Sequence, residues 1–329
     1  MEWPLMEPIK TEVLSKIYLK GLRHKKVLAL KDLSLTIGDG EIFGFLGPNG
    51  AGKSTTIKIL CDLIRPTSGR AAILGIDTRQ PEARSPIGYL PENPSYYPFL
   101  TGWELLGFHG AVHGMSQGLI RERSTNLLAM LELSDAAHRP LRTYSKGMVQ
   151  RLGIAAALIH DPQILIFDEP MSGLDPVGRK LVADLMLEMR DGGKVIFFST
   201  HILHDVEVIC DRIGIITKGE LRFIGTLPDM ISESFSSYEV LLRRVSSEQV
   251  EALTQRGHNP MSFEDKVKVA VPKGDLVTFL ASFMQEGMEL ISIEPKRLNL
   301  EDFFMGFVTQ SSPESERERI RQTVENEKT

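Results

Sequence analysis

Residues 41–60 read EIFGFLGPNGAGKSTTIKIL, and the reading of this stretch decides the fold. An apolar run from Ile42 to Leu46 gives way to the glycine-rich GPNGAGKS, and then to Ile57, Leu60 and Ile64 at helical spacing. The order is strand, loop, helix. The spacing of Gly47, Gly52, Lys53 and Ser54 matches the P-loop pattern, in which a glycine-rich turn aims backbone N–H groups at one phosphate chain in front of a helix N-terminus. Gly47, Pro48, Asn49, Gly50, Ala51, Gly52, Lys53, Ser54 and Thr55 are therefore the candidate phosphate cradle. Lys53 is placed to reach β- and γ-phosphates, and the Ser54 hydroxyl to hold Mg²⁺. A bland strand–helix turn needs neither the lysine nor the hydroxyl.

Working outward, Thr11–Tyr18 and Leu28–Ile37 alternate apolar and polar residues around the basic segment Gly21–Lys26 and are predicted to be edge strands. Tyr18 offers a ring on which a purine base could stack. Beyond the cradle, Pro66 and Gly69 stop the helix, Arg70–Ile76 reads as a short strand, and Ile87–Leu90 leads into the proline-rich PENPSYYP. From Thr101 to Leu133 the pattern is helical, and it is broken by Gly110, Gly114 and Gly118. Tyr144–Met148 opens another helix. The fully apolar Ile164–Phe167 runs into Asp168-Glu169-Pro170, the pattern of a buried parallel strand with carboxylates at its C-terminal end. MSGLDP, a helix over Leu181–Met189, a buried strand Val195–Phe198 ending in Ser199-Thr200-His201, and a hairpin around Lys218-Gly219 follow. After about residue 235 the chemistry-bearing residues stop. Strands over Tyr238–Val245, Val267–Val271 and Met288–Ile293, with helices over Glu248–Thr254, Asp275–Met284 and Leu300–Phe307, predict a small α+β domain at 236–310. Residues 311–329 are polar, mixed in charge and without aromatics, and are expected to be a disordered tail.

Composition narrows the function. The chain has 329 residues, 42% hydrophobic and 25% charged, enough for two domains with full cores. A net charge of −5 argues against binding nucleic acid by broad phosphate neutralisation. Cys61 and Cys210 each sit in an apolar pattern and read as two buried thiols in a reducing compartment, a disulfide being the alternative. Glu2, Pro4, Glu7 and Pro8 are unlike a secretory signal. No apolar run approaches the roughly 18 residues a membrane helix needs, so a membrane process would require a second chain to do the spanning.

Five separated elements, namely the P-loop at 47–54, YSKGM, ILIFDEP, SGLDP and the STH ending, occur in the order and spacing of ATP-binding-cassette (ABC) ATPases. Residues 10–230 resemble the nucleotide-binding subunit of a bacterial exporter whose permease is a separate chain. The resemblance implies an α/β fold of the P-loop NTPase type: a mixed-sheet core, an antiparallel edge subdomain and a helical insertion at about 93–160, all within an ATPase domain of residues 1–235. It implies ATP and Mg²⁺ as cofactors. In the family's terms Asp168 and Ser54 orient Mg²⁺, Glu169 is the general base for the attacking water, His201 is the switch histidine at the γ-phosphate, and Tyr18 stacks on adenine. Asp175 links the sites of two subunits, and Ser145 with Gly147 binds the ATP held by the opposite subunit. Two departures stand out. Tyr144, Lys146 and Met148 replace Leu, Gly and Gln of the LSGGQ signature, and Glu92 stands where the family carries glutamine. A carboxylate at 92 can touch Mg²⁺ or the attacking water but donates no hydrogen bond.

The expected function is ATP hydrolysis that powers a multi-span membrane permease, with export as the direction. The expected partners are that permease and a second cassette, as homodimer or mixed pair, with no nucleic acid, at the cytoplasmic face of the cell membrane. A soluble cassette acting on ribosomes or DNA would carry two cassettes or long heptad repeats, and a P-loop GTPase would carry Asn-Lys-x-Asp. The sequence has none of these.

Overall fold

The apolar runs of residues 42–46, 164–167 and 195–198 build the centre of the main sheet, because strands buried on both faces are apolar at nearly every position. The computed structural model describes residues 7–21, 25–233, 237–263, 265–283 and 288–296. In chain order the first unit contains β1 (Ile9–Lys20), β2 (Lys25–Ile37), β3 (Ile42–Leu46), α1 (Lys53–Leu60), β4 (Ser68–Ile73), β5 (Ile76–Asp77), β6 (Ile87–Leu90), α2 (Gly102–Val112), α3 (Gln117–Met130), α4 (Lys146–Leu158), β7 (Ile164–Asp168), α5 (Pro176–Asp191), β8 (Val195–Thr200), α6 (Leu203–Ile209), β9 (Arg212–Thr217) and β10 (Glu220–Gly225). One sheet has the order β10-β9-β3-β8-β7-β6. Its strands run parallel from β9 to β6, and β10 is antiparallel to β9. Every residue of β3, β7 and β8 is buried. The parallel arrangement brings the C-terminal ends of these three strands to one edge, where ligands of open α/β sheets bind. That edge carries the P-loop, Asp168-Glu169 and His201.

A second, antiparallel sheet has the order β2-β1-β4-β5. Its apolar side chains Leu14, Leu30 and Leu33 share one core cluster with Ile57 of α1 and Phe45 and Phe197 of the central sheet. The predicted strand Arg70–Ile76 is in fact two strands, because Leu74 (φ 48°) and Gly75 (φ 77°) make a left-handed hairpin turn. The helical stretch 101–133 is likewise two helices. Gly114 takes φ 71° just past α2, the left-handed conformation that ends a helix, and Ser116 caps α3. Thr101 and Glu104 form a reciprocal capping box at the start of α2. The Lys218-Gly219 turn has φ 49° and 82°, as a two-residue hairpin turn requires.

The chain divides between Thr226 and Leu227, ahead of the composition change near 235. The second unit contains α7 (Leu227–Glu233), β11 (Ser237–Arg243), α8 (Ser247–Gln255), β12 (Met261–Phe263), β13 (Lys266–Pro272), α9 (Leu276–Phe283) and β14 (Glu289–Lys296). Its sheet is antiparallel in the order β12-β13-β11-β14, the split βαβ arrangement. Val240, Leu242, Val267, Val269 and Val271 alternate onto one face and pack with Leu253 and Phe279 of its helices. Sequence patterning missed α6, α7 and β12, all of seven residues or fewer, where periodicity has little length to register. The expected helix at Leu300–Phe307 and tail at 311–329 lie outside the described residues. Among the described residues no helix is long and apolar enough to cross a membrane.

Candidate functional site

The loop between β3 and α1 is built by glycines that nothing else can replace. Gly52 caps α1 with φ 118°, and a Cβ there would lie 2.7 Å from the Ala29 carbonyl oxygen. A Cβ on Gly47 would strike the Ile216 carbonyl. Backbone bonds pin the loop to its neighbours: Gly47 N–H donates to the Thr200 carbonyl at 3.2 Å, and Gly219 N–H to the Ala51 carbonyl at 2.8 Å. The first-turn N–H groups of Lys53, Ser54 and Thr55 are not spent on the helix ladder and remain available to an anion. They border a cavity of about 290 Å³ lined by Ala29, Pro48, Asn49, Gly50, Gly52, Lys53, Ser54, Thr55, Glu92 and Glu169. Lys53 is 5% exposed, and its Nζ donates to the Gly47 carbonyl at 2.7 Å.

Opposite the loop, the end of β7 separates two adjacent carboxylates. Asp168 is buried, and its Oδ1 accepts from Ser199 Oγ at 2.5 Å, leaving Oδ2 free of that bond. Glu169 takes φ 53°, a conformation uncommon for a residue with a side chain, and this turns its carboxylate toward the P-loop. Its backbone is held on both sides. The N–H donates to the Ser199 carbonyl at 3.2 Å and to Ser199 Oγ at 3.1 Å, and the carbonyl accepts from Gln150 Nε2 at 3.2 Å. The Glu169 carboxylate, 7% exposed, lies 3.4 Å from Lys53 Nζ and 2.9 Å from His201 Nδ1. A buried carboxylate without such partners would cost several kcal/mol. His201 is steadied through its neighbours: Thr200 Oγ1 accepts from Ile202 N–H at 3.0 Å and donates to Asp205 Oδ2 at 3.1 Å. Burial pushes the Asp205 carboxyl pKa up, against the opposing pull of Arg179 on α5.

Of the residues singled out from sequence, the structure gathers the P-loop, Glu92, Asp168, Glu169 and His201 at this edge. Tyr18 lies beside it, with its hydroxyl 3.5 Å from Thr55 Oγ1 and its ring under the Lys16 ammonium at 5.1 Å. Ser145 and Gly147 do not line the cavity. Ser145 caps α4, accepting from Met148 N–H at 3.2 Å, and the first turn of α4 carries Lys146 and no acidic residue. Asp175 is also outside the cavity, and its Oδ1 caps α5 by accepting from Gly178 N–H at 2.8 Å. Cys61 and Cys210 are free thiols, the first buried and the second half-buried. Sequence reading missed Gln150, Ser199 and Asp205. Ser199 was within reach, as the first residue of the STH ending, but nothing local marks a helix glutamine as buried.

The donor set fits a hard, hydrated cation. Among the described residues no cluster of three or more His, Cys, Asp or Glu could enclose a metal ion. Mg²⁺ needs no such cage, since it keeps waters and phosphate oxygens and takes only one or two protein oxygens.

The comparisons with known proteins follow the same lines. Residues 30–172 match the family model described as ABC transporter. An uncharacterized ABC transporter ATP-binding protein of Synechocystis sp. is 42% identical over 303 residues, covering 90% of this chain and 83% of that one. The linearmycin resistance ATP-binding protein LnrL of Bacillus subtilis is 31% identical, covering 87% and 95%. Among solved structures, a dimeric ATP-binding cassette in a post-hydrolysis state bound to ADP and Pi is 29% identical, covers 67% of this chain and 98% of its own, and superposes with a TM-score of 0.62.

Proposed function

The chain belongs to the ATP-binding proteins of ABC transporters, and from that premise we propose that it powers a separate multi-span permease, in the export direction, by closing on ATP as a head-to-tail pair of cassettes. It is an ATPase of the cassette type. The observation that carries the reading is the Glu169 carboxylate, held between Lys53 and His201 on the wall of the P-loop cavity. There Glu169 accepts the proton of the water that attacks the γ-phosphorus. Lys53 exchanges its bond to the Gly47 carbonyl for one to the phosphates, and His201 holds the carboxylate toward the same phosphorus. Asp168 and Ser54 would hold Mg²⁺, which when bound would supply positive charge to offset that of the triphosphate. Tyr18 stacks on adenine, and Glu92 on the cavity wall sits where it can sense the bound nucleotide. Ser145 and Gly147 point to the dimer. The acid-free N-terminus of α4 suits an anion, yet it does not line its own chain's cavity, so it serves the nucleotide of the opposite subunit. Asp175, capping α5, sits at the junction of the two. Linearmycin resistance, the role LnrL is named for, is work that outward transport performs.

Mixed dimers test the shared site. Ser145→Arg and Lys53→Ala are each expected to abolish turnover alone, while a mixture regains one intact site in the dimers that combine them. A mixture as inactive as its components overturns the shared site.

Residues 92–140 are the proposed permease contact. Tyr97 and Phe99 are 79% and 77% exposed on the proline-rich loop that begins at Glu92, and Phe108 of α2 is exposed as well. Tyr96, by contrast, is half-buried, and burial pushes its phenol up to about 12. Exposed apolar clusters mark interfaces. A photo-crosslinker at Tyr97, followed by affinity isolation from membranes, is expected to trap an integral membrane protein at the cytoplasmic face. Recovery of ribosomal or nucleic-acid partners alone overturns the transporter reading and leaves the ATPase standing.

A further inference from the structure

We infer that Gln150 is a positioning residue for the general base, and that it ties Glu169 to the helix whose N-terminus faces the other subunit's nucleotide. The inference rests on the shared-site reading above. Gln150 lies on α4, five residues after its cap Ser145, and is 1% exposed. A primary amide buried so completely must spend its donors inside the protein. Nε2 spends them on two consecutive carbonyls, those of Glu169 and Pro170, each at 3.2 Å. Both belong to the segment that leaves β7 in the left-handed turn at Glu169. Such a conformation persists only where its surroundings over-determine it. Here Ser199 holds the Glu169 N–H and Gln150 holds its carbonyl, so the peptide units on either side of the Glu169 side chain are fixed from two directions.

The two grips have different origins. Ser199 belongs to β8 and moves with the sheet core, but Gln150 belongs to the helix that Ser145 and Gly147 begin. The α-helix is stiff over the short rise from Ser145 to Gln150, so a shift at its N-terminus is passed on to the amide. When the Ser145 end engages the opposite nucleotide, Gln150 sets the Glu169 backbone of its own chain. Each chain's base is thereby gripped by Gln150 at rest, and the ATP bound to its partner tightens a grip that already exists. Gln150 itself touches no nucleotide.

The test places Gln150→Met, which keeps the side-chain length and removes both donors, in defined mixed dimers of the full chain. In one arrangement Gln150→Met and Lys53→Ala are on opposite chains, so the only working P-loop belongs to the chain lacking the amide. In the other they are on the same chain, so the working P-loop sits with an intact Gln150 and Glu169. The expected result is a loss of kcat of tenfold or more in the first arrangement with KM for ATP changed less than about threefold, and turnover equal to the Lys53→Ala/wild-type mixture in the second. Equal loss in both arrangements means that Gln150 merely supports α4 and overturns the inference, as does full turnover in both. The Gln150→Met homodimer is also expected to bind ATP cooperatively less than wild type, with a Hill coefficient falling toward 1, and an unchanged coefficient overturns the coupling. Gln150→Glu sets an acceptor against two carbonyls in the same buried space and is expected to lose at least as much kcat as the Met variant, while the second arrangement, which carries the same Met side chain away from the working base, separates this loss from a folding defect. If Ser145→Arg and Lys53→Ala fail to complement, the shared-site reading falls first, and that failure is seen without touching Gln150.

Discussion

Replacing Glu169 with glutamine is expected to lower steady ATP turnover by about 10²- to 10⁴-fold, the range for removing a general base, while ATP still binds. The amide keeps the size and the hydrogen-bonding reach of the carboxylate but cannot take a proton from water. The effect on binding has a definite sign. Glu169 lies 3.4 Å from Lys53 Nζ in a buried site, so in the free protein it competes with the triphosphate for that ammonium. Removing its charge removes both the competition and the repulsion between carboxylate and phosphate, so affinity is expected to hold or rise. Turnover and binding therefore separate, and ATP should accumulate in closed dimers that elute early in size-exclusion chromatography with Mg²⁺ and ATP. Loss of the buried ion pair destabilises the free chain, and saturating ATP is expected to restore its Tm by mass action. Turnover like that of the wild type would remove Glu169 from the chemistry.

Much of this site was legible in the sequence because its parts are local. A P-loop is specified by residues within one turn, each required by a backbone conformation or a charge, and Gly47 and Gly52 stand where a Cβ would strike a neighbouring carbonyl, with the Lys53 ammonium folded back on the Gly47 carbonyl. The central strands were equally legible, since β3, β7 and β8 are apolar at nearly every position and β7 and β8 end in polar residues. What escaped was long-range or very short. Gln150 meets Glu169 across 19 residues, and no pattern in α4 distinguishes its buried amide from a solvated one. Glu169's left-handed φ is likewise invisible in ILIFDEP, although it decides where the carboxylate points. Ser145 and Asp175 were read as ligands from motif alone. The structure adds that both cap helices, so substituting either one also costs about 1 kcal/mol of helix stability that must be separated from any effect on nucleotide.

The second large effect is expected at Lys53. Truncation to alanine removes a charged contact that the cavity desolvates, and such contacts are worth about 2–5 kcal/mol, or roughly 30- to several-thousand-fold in affinity at tenfold per 1.4 kcal/mol. Among the described residues no other cation lines the P-loop cavity, whose remaining charged side chains are the carboxylates of Glu92 and Glu169. Once the ammonium is gone those two carboxylates face the triphosphate without compensation, so the loss should lie toward the upper end of that range. Pairing Lys53→Ala with Glu169→Gln tests the account. Each residue acts partly through the other, so the double variant is expected to bind ATP more tightly than Lys53→Ala alone, a non-additivity of the kind shown by groups in contact. Isothermal calorimetry on the four proteins closes the cycle. Affinity unchanged in Lys53→Ala contradicts the phosphate-binding role of the loop, and strictly additive effects contradict the claim that Lys53 and Glu169 share one electrostatic site.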